Sequence, residues 1–200
     1  NQAVAVRRER DHAQTEAAKT AAVTAFLTEM LASADPAEAG RDVTVREVLD
    51  DAVARLDMQA DIAPAVAAEI RRAIASSYVG LGDFAEARPL LVDVVAFERE
   101  PPVDRAALAR ALIELADVDH DLSQYAMAET ELDEAIELLR GSPDDEASLA
   151  DALNDLAIIH HVGADRATAE PLYRESLSIR RAVYGDEHLS IAQSLTNIGH

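Results

Sequence analysis

Apolar side chains recur along this 200-residue chain at the spacing of one helix face. Val23, Phe26, Leu27, Met30 and Leu31 fall at i, i+3, i+4, i+7 and i+8. Val45, Val48, Leu49, Ala52, Val53 and Leu56 repeat that amphipathic pattern. Ser33 to Asp42, with Pro36 and Gly40, reads as the loop between them. Thr44 and Glu47 have the spacing of a capping box, the hydroxyl serving the N3 amide and the carboxylate reaching back. Residues 1–20 are polar and Ala-rich, and read as an exposed helix. Residues 1–57 are therefore expected to form leading helices that cap the remainder of the chain.

From Asp61 the punctuation becomes regular. A helix is predicted over Ala65–Val79, broken at Gly80-Leu81-Gly82, with Asp83 and Glu86 capping a second helix to about Glu98. Pro101-Pro102 stops that helix and seeds the next, from about Val103 to Asp121. Gln124 to Arg140 is its partner, closed by Gly141. Ser142-Pro143-Asp144-Asp145-Glu146 supplies a cap, a Pro at N1 and three acids at the positive helix end. That helix runs to about Val162, with Gly163 behind it. Asp165 caps another to Tyr184, and Gly185 closes it. A last helix opens near Glu187 and is still running at His200, so the pattern predicts that the repeat continues further.

The same words return at a fixed interval. Gly82-Asp83-Phe84-Ala85-Glu86-Ala87 is answered 41 residues later by Ser123-Gln124-Tyr125-Ala126-Met127-Ala128, and 41 later again by Ala164-Asp165-Arg166-Ala167-Thr168-Ala169. A period of this size marks a stacked array of helix pairs. Composition agrees: hydrophobic residues reach 49% but aromatics only 4%, with Ala dominant, which suits closely packed helices better than a sheet sandwich.

Charge narrows the partners. The net charge is −20, with 27 acids against 11 bases in residues 58–200. Such a field repels phosphate backbones, so nucleic acid is not expected, and a basic or mixed-charge protein segment fits better. With no Cys there are no disulfides and no thiolate chemistry. No run of 18 uncharged apolar residues exists to span a bilayer, and the compartment is left open.

Ala169-Glu170-Pro171-Leu172-Tyr173-Arg174-Glu175-Ser176-Leu177-Ser178-Ile179-Arg180, then Tyr184-Gly185-Asp186-Glu187-His188 and Ser194-Leu195-Thr196-Asn197-Ile198-Gly199, closely resembles the tetratricopeptide repeat, in the longer variety found in kinesin light chains and many bacterial regulators. Small residues recur where that family needs close helix approach: Ala75, Ala116, Ala157 and Gly199 in first helices, Ala87, Ala128 and Ala169 in second helices. The resemblance implies an all-α, right-handed α-solenoid of antiparallel helix pairs over residues 58–200, about three repeats plus the first helix of a fourth. Asp119 and His160 depart from the pattern where Tyr78 keeps it, as does Arg166 where Phe84 and Tyr125 keep it; Pro89 and Pro171 lie inside their helices. Residues 26–57 resemble the segment joining a membrane span to repeats in bacterial transmembrane serine/threonine kinases, which would place span and kinase upstream.

In this family the first helix of each pair lines a concave face. The resemblance therefore implies a peptide-binding groove presenting Glu69, Arg72, Ser76 and Val79, then Arg110, Ile113, Asp117, His120 and Asp121. Asp151, Asn154, Ile158 and His161 follow, then Gln193, Thr196, Asn197 and His200. Asn154 and Asn197 stand where the family holds a ligand's main chain, which an amide can meet as donor and acceptor together. Arg72 and Arg110 would face a partner's acids, and Asp117, Asp121 and Asp151 its bases.

His120 and His161 share a register beside Asp119, Asp121 and His160, but no HExxH-like spacing accompanies them, so neither a metal nor a cofactor is expected. No phosphate loop, nucleophile elbow or kinase catalytic loop is present, so catalysis is not expected. The acids Glu129, Glu131, Asp133, Glu134 and Glu137 read as a solvated convex face. The expected function is a non-catalytic protein-interaction scaffold, the regulatory part of a larger signalling protein. The alternative is a self-association or spacer module, with Leu195 and Ile198 left exposed.

Overall fold

The computed structural model describes residues 20, 21, 24, 25, 28, 44–59 and 61–199. The stripe of Val23, Phe26, Leu27, Met30 and Leu31, the loop behind it, and residues 1–19 of the polar leading stretch lie outside the described residues. From Thr44 onward regular structure is helical, without a strand among the described residues. The helices are α1 (Val45–Met58), α2 (Pro64–Leu81), α3 (Phe84–Glu98), α4 (Arg105–Asp121), α5 (Tyr125–Leu139), α6 (Glu146–Val162), α7 (Arg166–Tyr184) and α8 (Leu189–Gly199), with a 3-10 turn at Pro143–Asp145. The fold is all-α, made of helix pairs. It divides into two compact units, Asn1–Phe97 and Glu98–His200.

In the first unit the capping box at α1 is formed: the Glu47 amide donates to Thr44 Oγ1 at 3.2 Å, and the Thr44 amide donates to Glu47 Oε2 at 3.0 Å. Leu49, Ala52 and Leu56 bury one face of α1, and the Tyr78 hydroxyl donates to Asp50 at 2.6 Å, tying α2 to α1. Burial and then Asp50 raise that phenol above its ordinary range. Arg71 on α2 lies 3.2 Å from Asp57 and 3.1 Å from Asp93, so one guanidinium joins α1, α2 and α3. Arg71 and Asp93 are equidistant from the Gly82 turn, as an antiparallel hairpin requires. The Asp83 carboxylate, expected to cap α3, is engaged by Arg46 at 3.0 Å, and Arg46 also pairs with Glu86. Helix α2 continues through Gly80 and Leu81, because only Gly82 takes the left-handed conformation that ends it (φ 80°).

The turn inside each hairpin repeats atom for atom. The amides of Gly82, Ser123 and Ala164 donate to the carbonyls of Val79, His120 and His161 at 3.0, 2.8 and 3.0 Å. The next amides, of Asp83, Gln124 and Asp165, donate to Tyr78, Asp119 and His160 at 2.9, 2.7 and 2.9 Å. This double pattern closes a helix through one left-handed residue. Ser123 and Ala164 hold φ of 62° and 61° without being glycine.

In the second unit α4 and α5 form one hairpin and α6 and α7 the next. The Asp104 carboxylate caps α4, accepting from the Ala106 and Ala107 amides at 3.0 and 3.1 Å. This start lies two residues beyond the expected Val103, because the cap is Asp104 and the Pro101-Pro102 pair stands outside the helix. The Arg105 guanidinium reaches the Glu137 and Leu138 carbonyls at 3.1 and 3.0 Å, satisfying the open end of α5. Asp165 caps α7 through the Thr168 amide at 3.2 Å, as expected. Ala75, Ala87, Ala116, Ala128, Ala157 and Ala169 are all buried at the helix contacts where small residues were expected. Pro89 and Pro171 lie within continuous helices.

Candidate interaction face of the second unit

The first helices of the second unit carry most of the expected groove residues. Arg110, Asp117, His120 and Asp121 are on α4, Asp151, Asn154 and His161 on α6, and Asn197 on α8. Arg72 lies in the other unit, on α2, with its Nη1 3.7 Å from Glu69 Oε1.

Five carboxylates gather on α4 and α6. Burial first, then Asp155, Asp121, Glu114 and Asp151, push Asp117 up to about 7. Asp117 is exposed by surface area, so solvent relieves part of that burial and the accumulated negative charge is the firmer cause. Burial also raises Asp155, against the lowering effect of its hydrogen bond from Asn154. A cleft of about 50 Å³ opens here, lined by Asp117, His120, Asp155 and Ile158 over Ala116, Leu132 and Ile159. His120 stands edge-on to Tyr125, ring centroids 5.6 Å apart, with Nδ1 3.7 Å from Asp121. One period along, His161 stands edge-on to Tyr173 at 6.5 Å, beside a second cleft of about 60 Å³. The two imidazoles thus face different neighbours. Among the described residues no group of three or more His, Asp or Glu side chains is arranged to hold a metal ion.

Asn154 and Asn197 meet each other. Asn197 Nδ2 donates to Asn154 Oδ1 at 3.0 Å, joining α8 to α6, and Asn154 Nδ2 donates to Asp155 at 3.2 Å. Asn154 is buried and Asn197 half-buried. Asp151, expected to face a partner's base, already accepts from Arg180 Nη2 at 2.7 Å. Arg180 is buried and also donates to Ser194 Oγ at 2.8 Å, so it links α6, α7 and α8. Sequence reading missed this group, and also Ser176, whose hydroxyl donates to the Ala150 carbonyl at 2.6 Å. The available signal was polar Ser176 and Arg180 standing one period after Ala135 and Leu139.

The hairpin carrying these contacts is the part of the chain recognisable by sequence. Residues 149–190 match the tetratricopeptide repeat family. That repeat is a protein–protein interaction scaffold and is typically non-catalytic. No curated protein matches the chain significantly. The fold is similar to the crystal structure of BtubC (BKLC) from P. vanneervenii, with TM-score 0.67 at 20% identity over 88% of this chain and 72% of that one. It is also similar to a kinesin-light-chain-type protein of Podosopora anserina with nearly identical TPR-like repeats. There the TM-score is 0.62 at 20% identity, over 76% of this chain and 73% of that one. MamA resembles it with TM-score 0.51 at 15% identity, over 80% and 93%. These likenesses establish a helix-pair solenoid fold of the tetratricopeptide kind.

Proposed function

We propose that the chain is a non-catalytic docking scaffold that binds a protein segment of basic or mixed charge on the α4–α6–α8 face, within a larger signalling protein. In this reading residues 58–200 carry the array and residues 1–57 its leading cap. The observation behind it is the carboxylate group of α4 and α6: beyond its burial, Asp155, Asp121, Glu114 and Asp151 crowd Asp117 closely enough to push it up to about 7, and a partner's cation relieves that crowding. Arg110 is exposed on the same face to meet an acid in the partner. The resemblance of residues 26–57 to a kinase juxtamembrane segment motivates the signalling role.

The test is fluorescence titration of a Lys-rich extended peptide against its Glu-rich counterpart. Preferential, salt-sensitive binding of the Lys-rich peptide, weakened by Asp117→Asn with Asp155→Asn, supports the reading. Equal binding of the two peptides rejects it.

A specific observation also favours self-association as a second reading. An apolar groove of about 450 Å³ lies between α7 and α8, lined by Leu177, Leu195 and Ile198 with Arg174, Ser178 and Arg181. Leu195 is 49% exposed, more than a packed Leu would be. Mass measured against concentration, with Leu195→Glu as control, distinguishes the two: a dimer abolished by that change favours self-association.

A further inference from the structure

One position on the first helices changes its chemistry at every repeat. Tyr78, Asp119 and His160 follow one another at intervals of 41 residues, and only the first is the expected Tyr. The Tyr78 hydroxyl, its pKa raised by burial and then by Asp50, keeps its proton and donates to Asp50 of the preceding helix. Asp119 is fully buried. His160 is half-buried in the last turn of α6, between carboxylates from two other places in the fold. Its Nε2 lies 3.8 Å from Glu129 Oε1 on α5, and its Nδ1 3.8 Å from Asp165 Oδ2 in the α6–α7 turn. Asp133, one turn beyond Glu129 on α5, is a third acid in its field: raised by burial and then by Glu129, it is drawn back by the His160 charge. Asp165, held low first by Thr168, is lowered further by the same charge. A neutral imidazole has one N–H, so one of its nitrogens turns a lone pair towards a carboxylate. At 3.8 Å neither contact is a hydrogen bond. An imidazolium has an N–H for each acid, and its charge is favoured at the C-terminal end of α6.

We propose that His160 is a proton-operated clamp between the two hairpins of the second unit: on taking a proton from solvent it draws in Glu129 and Asp165 together and locks α5 against α6 and the start of α7. The clamp belongs to the seam between hairpins and does not rest on the docking role above. The charged ring gains partners on folding that the unfolded chain lacks. Its contribution is therefore present at low pH and is lost as the pH rises through the imidazole range, about 5 to 8. In stronger acid the clamp opens again as the carboxylates are neutralised, Asp133 before Asp165, since the first is raised and the second held low. The position that Tyr78 uses as a fixed joint thereby becomes one that follows the pH.

Amide hydrogen exchange and NMR titration of the whole chain test this. Corrected for the intrinsic exchange rate, protection of the α5 and α6 amides should be about five-fold greater at about pH 5.5 than at about pH 8, the effect of two partly exposed ion pairs. His160→Tyr installs the residue of Tyr78, a donor that does not titrate in this range. It should keep the helices protected and leave only the response due to Asp117, which both proteins share. Glu129→Gln, a partly exposed site on α5, should remove roughly half of the His160 response, one of its two ion pairs. The Thr168 amide, which donates to Asp165, should shift with the same midpoint as the His160 ring and lose that step in His160→Tyr. An equal pH response of α5 and α6 in wild type and His160→Tyr overturns the clamp, as does a Thr168 amide that ignores the titration of the ring. Protection that falls as His160 takes up its proton overturns it as well, because the imidazolium is then expelled from the seam.

Discussion

The α4–α5 and α6–α7 hairpins share one backbone plan and fill it with different chemistry. At one position of the second helix, α5 buries Leu139 at 1% exposure and α7 buries Arg180 at 7%. One turn earlier, Ala135 and Ser176 are both fully buried. At these two positions the first hairpin closes by hydrophobic packing alone. The second closes through hydrogen bonds from Arg180 to Asp151 and Ser194, so the seating of α8 is coupled to that of α6. The repeat specifies where a side chain must be buried, not which kind of side chain is buried there.

The largest expected effect breaks the apolar side. Leu139→Ala should cost about 3 kcal/mol, the usual penalty for emptying a packed aliphatic site. Because repeat arrays unfold in parts, native-state hydrogen exchange is the appropriate measurement. Protection should fall on α4 and α5, and an unchanged pattern there would refute the packing assignment.

Arg180→Ala comes next. Removing a buried guanidinium with two hydrogen bonds should cost about 2 kcal/mol; Asp151 is 56% exposed, so water rehydrates it and holds the loss below that of a sealed ion pair. The loss should appear on α6 and α8 together. Paired with Ser194→Ala in a double-mutant cycle, the two changes should be non-additive. Full additivity would mean that Arg180 acts through packing alone.

The contrast between hairpins also explains what could be read from sequence. Helix starts and stops were legible where one residue decides them locally: the Thr44–Glu47 box, Asp165 on Thr168, and Gly141 and Gly185 with positive φ. The alanines were legible because close approach tolerates little else. Asp104 was passed over because the prolines beside it gave a louder stop signal. The Asn154–Asn197 and Arg180–Asp151 pairs join residues 43 and 29 apart on separate helices, so no local spacing announces them. Both lie on the face assigned to ligand binding, where a polar side chain reads the same whether it meets a partner or a neighbouring helix.

A smaller effect is expected at the turns. Ser123 and Ala164 occupy the left-handed position that Gly82 holds freely, and an L-residue there is strained by about 1 kcal/mol. Open space surrounds Gly82, so Gly82→Ala should be destabilising through conformation alone, by up to about 1 kcal/mol. Ala164→Gly should stabilise the α6–α7 hairpin by less than that, since glycine also loosens the unfolded chain. A shift of the opposite sign in the urea midpoint for either change would contradict the turn geometry.

The smallest effect, because Asp117 is exposed and solvent screens its neighbours' charge, and the one that most sharpens the electrostatic contrast, is the pH response of Asp117. Its folded pKa is raised from the ordinary 3.8 to about 7, so between these values the folded chain holds a proton that the unfolded chain releases. Stability from this group is therefore full below the unfolded pKa and is lost as pH rises through the folded one. The gap in urea midpoint between wild type and Asp117→Asn should move in favour of Asn from pH 5 to pH 8, because Asn never acquires the charge. A gap that does not change with pH would mean the surrounding acids do not act on Asp117. Ligand binding should slope the other way. A Lys-rich peptide needs the ionised carboxylate, so it should bind more tightly as pH rises through 7 and lose that dependence in Asp117→Asn. Opposed slopes at one residue are what a face destabilised by its own charge, and relieved by a cationic partner, requires.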